Sequence, residues 1–344
     1  MKTGSKIKFL AYLLTVMDPA MLCSCDKQIY DGEGDCVARC RVRFKYDYNM
    51  KYADAFAKEV NAVTLYLVND NEKVVWQKTE SGARLAEEGY VMEVNAAPGR
   101  YSLLAWCSSE NPTTFHTADS DTCRGLKTDF YTDRHDDGTL HIGDKLDRLY
   151  HGYVADVEFP DVDEGTFFYT VPLIKDTNHF VITLQQLSGE PIDADDVEFE
   201  ITDDNAHLDW DNRPVKGSPV TYHQWYKQTV SADLSARASQ RSTGSFAGVI
   251  AELTTSRLLY DNRADARLRI YRTDTGETIV SIRLIDALLL VMGYDNSKKL
   301  TEQQYLDYKD EYPMIFFLDE DHRWIDGLIQ IESWRVVYSE QELN

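Results

Sequence analysis

The chain has 344 residues, 43% of them hydrophobic and 12% aromatic, with 36 Lys and Arg against 58 Asp and Glu. That is apolar material for real cores, and the length suits two domains of ordinary size rather than a disordered chain. A formal net charge of −22 argues against nucleic-acid binding and against docking on anionic lipid, because the field of the whole molecule repels polyanions.

The N-terminus reads as an export signal. Lys2, Lys6 and Lys8 form a basic start, and Phe9 to Met17 ("FLAYLLTVM") is an apolar run of nine residues. A bilayer core needs roughly 20 apolar residues, so this run is a signal core and not a span. Leu22-Cys23-Ser24-Cys25 follows, with an aliphatic side chain at −3, a small one at −1 and Cys at +1. This resembles bacterial lipoprotein signals. It implies cleavage after residue 24, a diacylglycerol thioether on Cys25, and an acidic linker over 25–37. Cys-x-Cys as a metal clip lacks the further ligands that a tetrahedral site needs. Several acyl chains, each methylene contributing about 0.8 kcal/mol, give a stable tether. The most apolar later segment, "IRLIDALLLVMG", is short and carries Arg283 and Asp286.

From Cys40 to Tyr48, Cys40, Val42, Phe44, Tyr46 and Tyr48 alternate with Arg41, Arg43, Lys45 and Asp47. A period of two over nine residues predicts a half-buried strand. "NMKYADAFAKEV" predicts a short helix. "NAVTLYLVND", "EKVVWQKT", "YVMEVN" and, after the Pro98-Gly99 turn, "RYSLLAWCS" continue as strands. The polar stretch 108–147 reads as loops with weak strands, and "GTFFYTVPLIK" closes this half. A second half opens at "NHFVITLQQL" and continues with "DVEFEIT". "ADARLRIYRTDTGETIVSIRL" predicts a hairpin turning at residues 273–276. Leu284 to Val291 reads as helical, "TEQQYLDYKDEY" as a short helix capped by Thr301, and "PMIFFLD" and "GLIQIESWRVVYS" as the last strands. No strand–helix–strand alternation appears, so a doubly wound parallel sheet is excluded. The expectation is an all-β chain of two antiparallel sandwiches, 38–175 and 176–344, with a few short helices.

Beyond Cys25, the mature chain keeps Cys36, Cys40, Cys107 and Cys123. Four cysteines in an exported protein allow three pairings. Cys107 and Cys123 bracket a polar loop, which suits a loop-closing bridge; buried free thiols suit the sequence equally well. Cys36 and Cys40 cannot pair within one extended strand, because four residues span roughly 13 Å.

Motifs for chemistry are few. There is no phosphate-cradling or dinucleotide loop, no zinc-protease helix and no nucleophile elbow. "DRHDDGTLHIGD" aligns with a calcium loop through Asp133, Asp137, Gly138 and Asp144. However, His135 stands where an oxygen ligand is wanted and Asp144 where a bidentate Glu is needed, so a solvated loop is the better reading. Trp76, Trp106, Trp210 and Trp225 could stack on sugars if they shared a surface, although a sandwich Trp is more commonly buried.

The ordered segments carry a resemblance. "DGEGDCVARCRVRFKYDYNMKYADAFAKEVNAVTLYLVND", then "PGRYSLLAW", "LDRLYHG", "AELTTSRL" and "YLDYKDEYPMIFFLDEDHRWIDGLIQIESWRVV" resemble the fimbrillin-A-associated anchor proteins of Bacteroidota. The segments run in family order across nearly the whole mature chain. The resemblance implies two transthyretin-like sandwiches on a lipid anchor, at the surface of the outer membrane. It implies an anchor or accessory subunit of a type V fimbrium, with fimbrillin subunits as partners through strand exchange, and no enzyme. It also implies no cofactor or metal beyond the covalent lipid on Cys25, no nucleic acid and no small-molecule substrate. A glycan-binding surface lipoprotein is the alternative. A lipoprotein hydrolase would need a constellation that the sequence does not display.

Overall fold

The computed structural model describes residues 38–135, 138–233, 245–295 and 298–338. The chain groups into two compact units. In the small one, which holds the described residues 38–39 and 162–166, the Arg39 N–H donates to the Gly165 carbonyl at 2.8 Å. Apart from Arg39 and Thr166, the end residues of two strands, everything below concerns the larger unit, 40–161 and 167 onward.

In chain order the strands begin with β1 (Arg39–Lys45), β2 (Ala62–Asn69), β3 (Val74–Ser81), β4 (Met92–Val94), β5 (Gly99–Ser108), β6 (Phe115–Thr117), β7 (Thr128–Phe130) and β8 (Asp133–Arg134). There follow β9 (Leu140–Ile142), β10 (Leu149–Phe159), β11 (Thr166–Pro172), β12 (Ile174–Lys175), β13 (Thr177–Gln186), β14 (Val197–Asp203), β15 (His207–Leu208) and β16 (Val220–His223). The last are β17 (Tyr226–Asp233), β18 (Ser245–Ser256), β19 (Arg267–Arg272), β20 (Thr278–Arg283), β21 (Glu311–Leu318), β22 (Trp324–Ile331) and β23 (Trp334–Val337). Short helices are α1 (Phe56–Glu59), α2 (Leu284–Leu289), α3 (Met292–Asp295) and α4 (Glu302–Tyr308).

The first sandwich sets a three-stranded sheet, β11-β1-β4, over a five-stranded one, β12-β10-β5-β2-β3. Val42 and Phe44 from β1 pack with Val63, Leu65, Leu103 and Ala105 in one core. This is the face the alternation in β1 predicts. The five-stranded sheet is apolar on its other face too. Tyr66, Leu104 and Trp106 join Phe115, Leu126 and Phe130 in a second, larger core, beneath the small sheet β15-β7-β6. Burial on both faces explains the unbroken apolar run "LLAWC" in β5.

The second sandwich pairs the sheet β17-β18-β13-β21-β22-β23 with β20-β19-β14-β16-β9-β8. Phe180, Ile182, Met314 and Phe316 pack with Phe199, Ile201, Leu268 and Ile270 between them. The expected all-β architecture of two antiparallel sandwiches holds, with two parallel pairs set inside it. β13 and β21 run parallel from His179↔Glu311 to Gln186↔Leu318, and β16 runs parallel to β9. Parallel neighbours need long crossovers, and here more than a hundred residues separate β13 from β21. Strands β7 and β9 come from the first half of the chain yet pair with β15 and β16 of the second.

Two long strands have no clear period in the sequence. β10 is buried on both faces at its start and carries a bulge between Val154 and Val157, with Asp156 at φ 56°. A bulge resets the inside–outside alternation. β18 contains Gly248, where a Cβ would lie 2.5 Å from the Leu184 carbonyl oxygen. Small residues there serve the close approach of β13 and erase the apolar signal. At the chain end, "GLIQIESWRVVYS" is two strands, not one, because the backbone reverses at Glu332, φ 54°.

Candidate functional site

Cys25, the leader over 1–24, the linker over 25–37 and Cys36 lie outside the described residues. Cys107 and Cys123 do not form the bridge that their spacing suggested: both are free and buried. Cys107 belongs to the core between the two sheets of the first sandwich, and Cys123 to the larger core beyond the five-stranded sheet. The alternation of β5 sends Trp106 and Cys107 to opposite faces, so a sheet separates the two sulfurs. Burial pushes the Cys107 thiol well above its ordinary range and the Cys123 thiol up to about 11. Cys40 is also free and buried.

The loop read against a calcium template is the β8–β9 hairpin. Gly138 at φ 85° turns it, its N–H donating to the His135 carbonyl at 2.8 Å. The His135 ring stacks on His141, centroids 3.6 Å apart, and His141 Nδ1 meets His223 Nε2 at 2.7 Å. Asp137 lies outside the described residues. Among the described residues no group of three or more His, Cys, Asp or Glu is arranged to hold a metal. Trp76 is partly buried against the core of the first sandwich. Trp106 is 4% exposed, Trp210 sits edge-on to Tyr153, and Trp225 lies under the Lys145 ammonium at 4.6 Å.

A buried ionic knot fixes the passage from β12 to β13. Arg257, at the end of β18, donates from Nε and Nη2 to the two carboxylate oxygens of Asp307 on α4, at 2.9 and 3.0 Å. Its Nη1 donates to the Asn212 carbonyl, and Asn212 Nδ2 donates to Asp176 at 2.8 Å. Asp176 is fully buried, and desolvation lifts its carboxyl to about 7 despite Arg257 at 4.0 Å. Nearby, His151 Nε2 meets the Trp210 carbonyl at 2.9 Å, and burial pushes its imidazole down to about 3. A neutral imidazole donating there suits a joint that holds its geometry. Beside the knot is a cleft of about 660 Å³ whose walls include Lys175, His179, Lys309, Asp310 and Glu332. Lys175 pairs with Asp310 at 2.5 Å and Lys309 with Glu332 at 2.6 Å. These ion pairs neutralise one another and present no nucleophile beside a base.

What the fold leaves open are strand edges. β3 ends the five-stranded sheet. Its Val74 N–H is taken by the Asp121 carbonyl at 2.9 Å. Beyond that, Val75, Gln77, Thr79 and Ser81 are exposed, alternating with half-buried Trp76, Lys78 and Glu80. A groove of about 570 Å³ follows Val74 to Gln77, with Asp119 and Asp121 opposite. β17 and β23 end the six-stranded sheet built around β13, with Tyr226, Trp334 and Val337 exposed. An open edge offers unpaired N–H and C=O groups to an incoming strand.

The family model for fimbrillin-A associated anchor proteins Mfa1 and Mfa2 matches residues 33–340. The chain belongs to this anchor family. An anchor-family chain of this kind is a fimbrial accessory protein of the cell surface. Among solved structures, a "putative adhesin" from Bacteroides thetaiotaomicron is 31% identical with a TM-score of 0.75, covering 87% of this chain and 97% of its own. A second protein of that organism, described as "putative polysaccharide binding", is 27% identical with a TM-score of 0.72, covering 88% and 99%. The fimbrial anchor protein Mfa2 from Porphyromonas gingivalis shares the fold at 14% identity, with a TM-score of 0.61 and coverage of 88% and 100%. A search of curated proteins found no match. No helix among the described residues is long and apolar enough to cross a membrane.

Proposed function

We propose that this chain is an outer-membrane lipoprotein, acylated on Cys25, that anchors or caps a type V fimbrium at the cell surface and supports its assembly and length control. Its partners are fimbrillin subunits, met through strand-mediated contacts. The family match across 33–340 carries the reading. The edge strand β3, with its alternating exposed and half-buried side chains and a flanking groove, supports strand addition, in which backbone ladders give affinity and alternate side chains give register. The basic start, the apolar run from Phe9 to Met17 and Cys25 at the lipobox position support export and tethering. A glycan-binding role draws on the neighbour described as polysaccharide binding, but Trp106 is buried in the core and so is not open to a sugar. Cys25→Ala tests the anchor reading. The expected result is release of both the protein and intact fimbriae into the medium. Fimbriae that remain cell-bound in that strain would overturn it.

A further inference from the structure

Asp203, at the end of β14, is 3% exposed and pairs with Val220 of β16. Asn262, on the turn between β18 and β19, is 1% exposed and donates from Nδ2 to Asp203 Oδ1 at 3.0 Å. Lys216, on the loop between β15 and β16, keeps its stem in solvent while its ammonium contacts the Asn262 side-chain oxygen. Asp203 is held by further bonds. The Asp204 N–H donates to it at 2.7 Å and Asn205 Nδ2 at 3.0 Å, with Asn205 itself held by the Tyr222 hydroxyl at 2.7 Å. Burial raises the Asp203 carboxyl to about 7. An amine, a carboxamide and a carboxyl of raised proton affinity thus meet in a site that packing fixes and largely shields from water. These are the requirements of an intramolecular acyl transfer: proximity, a proton carrier and exclusion of hydrolysis.

We propose that Lys216 and Asn262 join in an isopeptide bond, made by the chain itself with Asp203 carrying the proton. Asp203 takes one proton from the Lys216 ammonium. The free amine attacks Cγ of Asn262, and the Nζ–Cγ bond forms. A second proton passes from Nζ to Nδ2, the Cγ–Nδ2 bond breaks, and ammonia leaves with the proton that Asp203 held. One alkylammonium and one carboxamide become one secondary amide and one ammonium ion, so no oxidant, nucleotide or metal is consumed. The product ties the approach to β16 to the β18–β19 turn, closing a loop of 46 residues. In a chain pulled between a membrane tether and a polymer, such a staple keeps the second sandwich from opening along that loop.

Intact-mass spectrometry of the purified mature chain tests this. The expected mass is about 17 Da below the sequence value, the mass of one ammonia. A branched tryptic peptide should join the segments around Lys216 and Asn262. Asparagine cyclisation to a succinimide loses the same mass but gives no branched peptide and survives Lys216→Arg. Lys216→Arg alters an exposed stem, so it should fold, regain the full mass, lose the branched peptide and melt about 10 °C lower. Asp203→Ala, checked for folding by circular dichroism, should also stay uncross-linked. A wild-type chain at full mass, or one lacking the branched peptide, would overturn the bond. Cross-linking that persists in folded Asp203→Ala would overturn the role given to Asp203.

Discussion

Replacing Arg257 with Met removes the only cation from the knot of Asp176, Asn212 and Asp307 while nearly preserving volume. The Arg257 side chain is 11% exposed, Asp307 8% and Asp176 0%, so solvent does little to screen the loss. Breaking a buried pair by removing one partner costs about 3–5 kcal/mol, because the remaining charge is stranded. The cost depends on pH in a defined direction. The Asp176 carboxyl titrates near 7 in the folded chain against 3.8 for the free group, chiefly through desolvation, and burial raises Asp307 as well. Between those two values the folded chain binds more protons than the unfolded one, so this group's contribution to stability falls as pH rises and is greatest in acid. Without Arg257 the buried carboxylates resist ionisation still more and the fall steepens. The variant should therefore be about 3–5 kcal/mol less stable than the parent near pH 8, with the gap narrowing towards pH 5. Urea unfolding followed by tryptophan fluorescence measures both. A gap under about 1 kcal/mol near pH 8, or one that widens on acidification, would refute the reasoning.

Cys40, Cys107 and Cys123 should resist thiol reagents in the native chain and react after unfolding, and reductant should leave Tm unchanged; fast native labelling of Cys107 would contradict its burial. Gly152→Ala places a Cβ 2.5 Å from Val171 Cγ1 and 2.7 Å from the Pro172 carbonyl oxygen, so it should cost about 1–3 kcal/mol by overpacking, read as a lower urea midpoint. Thr301→Ala removes a capping box, in which Thr301 Oγ1 accepts from the Gln304 N–H at 3.3 Å and Gln304 Oε1 accepts from the Thr301 N–H at 3.0 Å. The expected loss is about 1 kcal/mol, and an unchanged thermal midpoint would show that tertiary contacts hold α4 without its cap.

The first strand, the β2–β3 pair, the β19–β20 hairpin and the Thr301-capped helix were legible because each is specified locally. A period of two fixes which face is buried, a Gly at φ 69° fixes the turn at Gly276, and a hydroxyl three residues before a glutamine fixes the helix start. β10 and β18 were not legible, because burial on two faces, a bulge and a glycine set by a neighbouring strand erase the period. The cysteine pairing was undecidable for a similar reason: fifteen residues separate Cys107 from Cys123 in the chain, but which side of a sheet each thiol faces is settled only by the packing.

By itself the sequence determined the all-β class, the acidic net charge and an ordered set of segments that marks the family. These depend on composition, on alternation or on contiguous residues. Tertiary structure alone decided that β13 and β21 lie parallel, that β7 and β9 cross to the second half, and that Arg257 meets Asp307. It alone brought Asp203, Lys216 and Asn262 together from a strand end, a loop and a turn. Such contacts join residues tens to more than a hundred positions apart, and no local period records which distant strand will close against which.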